Sequence, residues 1–110
     1  MAGFLGAPPR AEGSARVNVT WSPRALAHLR ALRAHIAQNN PEAAADIASA
    51  LLTSVDRLAR LPHLGRPGRL PDTRELGVPR TPYIVVYRIR AERLEILTVF
   101  HGRQKWPDKL

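Results

Sequence analysis

Four histidines and fifteen arginines supply most of the side chains here that could do chemistry. His28 and His35 are seven residues apart, on one helix face but two turns from each other, and no carboxylate stands at i+3 or i+4 to complete a metal site. His63 falls in a Pro/Gly-rich stretch, and no metal or cofactor is expected. Ser22, Ser49 and Ser54 sit in helical patterns without a G-x-S-x-G turn, which excludes a serine-hydrolase elbow. Gly65-Arg66-Pro67-Gly68 lacks the lysine and the following helix of a phosphate loop. With no cysteine in the chain, disulfides, thiolate metal sites and a cysteine nucleophile are excluded.

A basic C-terminal half remains, with Arg66, Arg69, Arg74, Arg80, Arg88, Arg90, Arg103 and Lys105. His101 ends an apolar run, followed at once by Arg103, Gln104, Lys105 and Trp106. An imidazole, guanidinium groups and an indole at one strand end could hold a phosphate and stack a base. In metal-free RNA cleavage His101 would be the general acid or base, with Arg74, Arg80 and Arg103 holding phosphate. Two plainer roles stand beside these: His101 capping its strand through a backbone carbonyl, and Arg74 forming a surface ion pair with Glu75.

The chain of 110 residues has 17 basic and 9 acidic side chains, a net charge of +8. That excess points to an acidic partner, or the arginine-rich composition reflects a GC-rich genome. A hydrophobic fraction of 45% excludes general disorder. No apolar run reaches the ~20 residues of a membrane span. One domain is expected over residues 17–110. Residues 1–16 have neither helical nor strand periodicity and read as a flexible extension outside it.

The elements that must position these groups follow from patterning. Val17, Val19 and Trp21 alternate, which predicts a short strand. Ser22-Pro23 and Asn40-Pro41 are two helix starts, each a capping side chain before a proline at the first helical position. The first helix runs to about Gln38 with Ala25, Leu29, Leu32 and Ile36 as its stripe. The second runs to about Leu61 with Ala44, Ile47, Ala48, Leu51, Val55 and Leu58. So short a connection requires an antiparallel hairpin. Residues 62–71 read as a loop, and 73–78 as a weak strand. Tyr83–Arg90 is apolar on both faces, which predicts a central strand, and a tight turn joins it to Leu94–His101. The class is α+β: an N-terminal strand and a helical hairpin packed on a small, mostly antiparallel sheet that ends in a three-strand meander.

The segments VTWSPRALAHL, NNPEAAADIASAL, LPHLGRPGR, TREL, PYIVVYRI and LEILTVFHGRQKWP, in this order and spacing, resemble the RelE/ParE superfamily of type II toxin–antitoxin toxins over about residues 17–107. The resemblance implies the same α+β fold and a cytoplasmic toxin. RNA-cleaving members carry an arginine three residues before the second tyrosine of the central strand, where this chain has Ile84. They carry a tyrosine after the strand-end histidine, where it has Gly102, and a lysine-rich segment, where it has only Lys105 and Lys109. The pattern resembles instead the ParE branch, whose members poison DNA gyrase. That implies a target surface at His101, Arg103, Gln104, Lys105 and Trp106. It also implies a ParD-like antitoxin, typically acidic at its C-terminal segment, that wraps the hairpin and sheet. Leu26, Leu29, Leu52 and Tyr87 are the expected antitoxin contacts, unless Leu26 and Leu52 complete an ordinary core. Operator DNA is met only through the antitoxin. Two other readings stay open: a ribosome-dependent mRNA endoribonuclease, and a non-toxic member kept for antitoxin and operator binding.

Overall fold

The computed structural model describes residues 16–103. The chain runs β1 (Asn18–Trp21), α1 (Pro23–Ala37), α2 (Pro41–Arg60), β2 (Arg66–Pro67), β3 (Arg74–Gly77), β4 (Tyr83–Arg90) and β5 (Arg93–His101). Both expected caps are formed. The Ser22 hydroxyl accepts from the Ala25 amide and Asn40 Oδ1 accepts from the Ala43 amide, each at 3.0 Å. The Ser22 hydroxyl also donates to the Leu97 carbonyl at 3.0 Å, so one side chain starts α1 and ties it to β5.

The five strands form one sheet in the order β1-β5-β4-β3-β2. β1 runs parallel to β5 and every other pair is antiparallel. β3, β4 and β5 are the meander, with β4 in the middle, as its two apolar faces require. The two-residue β2 lies inside what reads as a loop: Pro67 cannot donate to a ladder, and so short a run has no visible period.

The core joins Ala25, Leu51, Val55 and Leu58 of the hairpin to Val85, Tyr87, Leu94, Ile96 and Val99 of the sheet. α2 buries Ala44, Ala48, Leu51, Ser54, Val55, Leu58 and Ala59, whereas α1 buries only Ala25. One irregularity breaks the alternation. Val86 pairs with Thr98 and Tyr87 with Ile96, so Leu97 is an extra residue in β5, a bulge. Of the N-terminal sixteen residues only Arg16 is described, and its guanidinium meets the Asp56 carboxylate on α2. Among the described residues no helix is long and apolar enough to cross a membrane.

Candidate functional site

Two turns meet at one end of the sheet. The β3–β4 turn closes through the Val78 amide donating to the Tyr83 carbonyl at 2.9 Å. The Thr81 hydroxyl donates to the Val78 carbonyl and accepts from the Tyr83 amide. Past β5, the Gly102 amide donates to the Pro82 carbonyl at 2.7 Å and stitches the second turn to the first. This end carries His101, Arg103 and Arg80. Arg80 is exposed and holds a φ of 63°, left-handed backbone that costs a side-chain-bearing residue energy.

His101 lies across from Tyr83 in register. The two rings meet edge to face, with centroids 5.4 Å apart and planes at 83°. The His101 Nδ1 accepts the Arg103 amide at 3.0 Å, so the ring caps the outgoing turn. Burial raises the Tyr83 phenol above its ordinary value of 10.0. Gln104, Lys105 and Trp106 lie outside the described residues.

Arg74 does not join this cluster. It pairs with Tyr87, four residues along β4 from the Tyr83–His101 pair, roughly 13 Å at strand rise. Its guanidinium donates to the Gly65 carbonyl at 2.7 Å, and Tyr87 works on the same loop from beside it. The Tyr87 hydroxyl accepts the Gly65 amide at 2.9 Å and donates to the Pro62 carbonyl at 2.7 Å. Tyr87 is fully buried, so the antitoxin contact expected of it is corrected: its ring fills the core and its hydroxyl holds the 62–65 loop. The Arg74–Glu75 ion pair is also corrected, because neighbouring strand residues point to opposite faces. Glu75, 3% exposed, instead receives Arg66 at 3.2 Å and the Arg69 amide at 3.0 Å.

Of the other expected antitoxin contacts, Leu52 is 54% exposed and Leu26 is half-buried, while Leu29 is half-buried against the core. The helix around them has Leu26, Leu29, Leu32 and Ile36 all half-buried, with exposed Arg24, Arg30 and Arg33 and no acidic residue. A shallow groove of about 350 Å³ runs between the helices, floored by Ala34, Ala37 and Ala44 and rimmed by Arg30 and Arg33. His28 is not a plain surface histidine. It is half-buried, and its Nδ1 lies 2.6 Å from the hydroxyl of fully buried Thr98. Nothing in helical spacing signals that contact, because the bulge in β5 is what sets Thr98 at its position.

The two helices packed on a five-strand, mostly antiparallel sheet are the fold of the small toxins of the RelE/ParE type. Residues 19–106 match the family described as the ParE toxin of the type II toxin–antitoxin system parDE, and the chain belongs to that family. It is 45% identical over 95 residues to Y4kP of Sinorhizobium fredii, to which a toxin role is ascribed, covering 86% of this chain and 98% of that one. It is 36% identical over 84 residues to toxin RelE2 of Caulobacter vibrioides, covering 76% and 93%. A structure of the chromosomal ParDE toxin–antitoxin system from P. aeruginosa superposes with a TM-score of 0.72 at 25% identity, covering 80% of this chain and 98% of that one.

Proposed function

We propose that this toxin arrests growth by binding and poisoning DNA gyrase in the cytoplasm, and that a ParD-like antitoxin holds it inactive. The antitoxin reading is carried by α1. Fifteen helical residues bury a single alanine, and the rest of the face is leucine and isoleucine among arginines with no acid. An amphipathic acidic segment laid on α1 and the groove would bury the leucines and meet Arg30 and Arg33. Opposite charge also speeds the encounter. Leu26, Leu29 and Leu52 are its contacts, and operator DNA is reached only through the antitoxin.

The target reading rests on the His101 end. Arg80 and Arg103 are exposed there, and Gln104, Lys105 and Trp106 follow in the chain. Binding to gyrase needs no chemistry from the toxin, no metal and no cofactor. The alternative, ribosome-dependent mRNA cleavage, draws support from the relative named RelE2. It would use His101, Arg80 and Arg103, with Arg74 committed to loop carbonyls roughly 13 Å away at strand rise. The third reading, a non-toxic member kept for antitoxin and operator binding, predicts harmless expression. Inducing this chain alone, and together with a ParD-like antitoxin, tests the pair. Arrest alone with rescue together is expected; no arrest alone would sink the toxin role.

A further inference from the structure

The end of the sheet at His101 carries one sign of charge. Residues 76–91 and 96–103 contain no aspartate or glutamate. The nearest strand carboxylates are already engaged: Glu75 receives Arg66 and the Arg69 amide, and Glu95 receives Arg88 at 2.6 Å. Arg80 and Arg103 are exposed, and neither forms an ion pair among the described residues.

Both arginines are held from behind. The Thr81 amide donates to the Val78 carbonyl at 3.2 Å and the Thr81 hydroxyl to the same carbonyl at 2.9 Å, which closes the turn around Arg80. That turn carries an arginine at a φ of 63°, where glycine would cost less. The Arg103 amide is held by His101, and the Gly102–Pro82 bond joins the two turns into one braced corner. A corner fixed before binding loses little freedom when it meets a partner.

We propose that this corner grips the phosphate backbone of the DNA duplex held by gyrase, with Arg80 and Arg103 each on a phosphate. The inference rests on the gyrase reading and names what the toxin touches there. A protein partner would need an apolar anchor at the centre of the contact. Among the described residues the exposed large hydrophobic side chains are Leu52, Leu61 and Leu64, and none stands in either turn. Phosphate contacts need only guanidinium and N–H groups. A toxin that binds the DNA-bound state better than free gyrase also stabilises that state, which is what poisoning requires.

The test titrates labelled full-length toxin with purified gyrase, with and without a bound DNA duplex, over a range of salt. Bound DNA is expected to tighten the complex about tenfold or more. The double variant Arg80→Gly/Arg103→Ala should remove most of that gain, and should lower the slope of log affinity against log salt by about two, one per lost phosphate. Arg80→Gly keeps the turn, because glycine accepts its backbone angle. Arg57→Ala, which removes an exposed arginine from α2, controls for net charge. Equal affinity with and without DNA would overturn the proposal. So would equal losses by the double variant in both states, which would make the partner gyrase's own protein surface. A loss from Arg57→Ala as large as from Arg80→Gly, or tighter binding of the toxin alone to single-stranded RNA than to a duplex of equal charge, would also contradict it. The gyrase reading fails by a different result, no binding to gyrase in either state, and this inference falls with it.

Discussion

The Tyr87 hydroxyl lies 2.9 Å from the Gly65 amide across 22 residues of sequence, and that contact closes the loop after α2 onto the sheet. The fit leaves no slack. A Cβ on Gly65 would stand 2.6 Å from the Tyr87 hydroxyl and 2.8 Å from the Glu75 carbonyl. Arg74, opposite Tyr87, donates to the carbonyl of the same glycine. Two strand residues thus hold both polar groups of one loop residue.

Removing the hydroxyl should therefore be costly. Tyr87→Phe strands the Gly65 amide and the Pro62 carbonyl, and about 1–3 kcal/mol of stability should be lost. Gly65→Ala forces the same contact apart and should cost a similar ~1–3 kcal/mol. Urea denaturation measures both. A loss in Tyr87→Phe no larger than for a surface control would show that the latch carries no energy.

The same hydroxyl has a pH signature. Burial holds the Tyr87 phenol above its ordinary 10.0, outweighing the lowering by the Gly65 amide and the Arg74 charge. The unfolded chain then releases its proton first, so this part of the stability is complete below pH 10 and is lost as pH rises toward the native value. Tyr87→Phe should flatten the fall in stability on the alkaline side. Asp56 works the other way. The Arg60 hydrogen bond, with Arg16 nearby, holds its carboxyl below the usual 3.8, so its contribution is present above that pH and is lost as pH falls below it. The pair is exposed, so Asp56→Asn should cost under about 1 kcal/mol at neutral pH and less in high salt.

Backbone strain yields a third expectation. Ala91 and Arg80 hold φ angles of 53° and 63°, where glycine sits without penalty. Ala91→Gly and Arg80→Gly should each leave stability unchanged or raise it by up to ~1 kcal/mol. They should part in function: Ala91→Gly keeps toxicity, and Arg80→Gly, which removes a guanidinium from the His101 end, weakens it. Equal toxicity of the two variants in a growth assay would take Arg80 out of the target surface.

A fourth expectation separates the core from the partner surface. Val86→Asp puts an unpaired charge in a fully buried position and should abolish folding. Leu52→Glu, at a site 54% exposed, should leave the circular dichroism spectrum and melting temperature intact. It should still release growth arrest in the presence of antitoxin, because an acidic antitoxin segment would meet a like charge there. Full rescue of Leu52→Glu by antitoxin would move the contact elsewhere on the hairpin.

Much of the fold was legible in the sequence, and for reasons that stay local. Ser22-Pro23 and Asn40-Pro41 carry their own capping chemistry, and both helices begin where those pairs stand. β4 is apolar on both faces because it lies between β3 and β5, and its bounds follow from that. What stayed hidden depends on distant partners. Thr98 finds His28 only once α1 is laid beside the bulge in β5. Glu75 chooses Arg66 and Arg69 over its neighbour Arg74 because a strand turns adjacent side chains apart. Tyr87 reads as a candidate contact because nothing in sequence shows that the loop 22 residues earlier closes over its hydroxyl. At the site itself, sequence placed His101 and Arg103 at a strand end, while the stitch between Gly102 and Pro82 is what brings the Arg80 turn beside them.

Purified toxin against purified gyrase, in paired supercoiling and DNA-cleavage assays with Arg103→Ala and Arg80→Ala alongside, is the most direct test of the central claim. The account predicts loss of supercoiling and accumulation of cleaved DNA with the wild type, and a clear weakening of both in the folded variants. Unimpaired supercoiling at saturating toxin, together with loss of intact mRNA in ribosome-containing extracts, would contradict it.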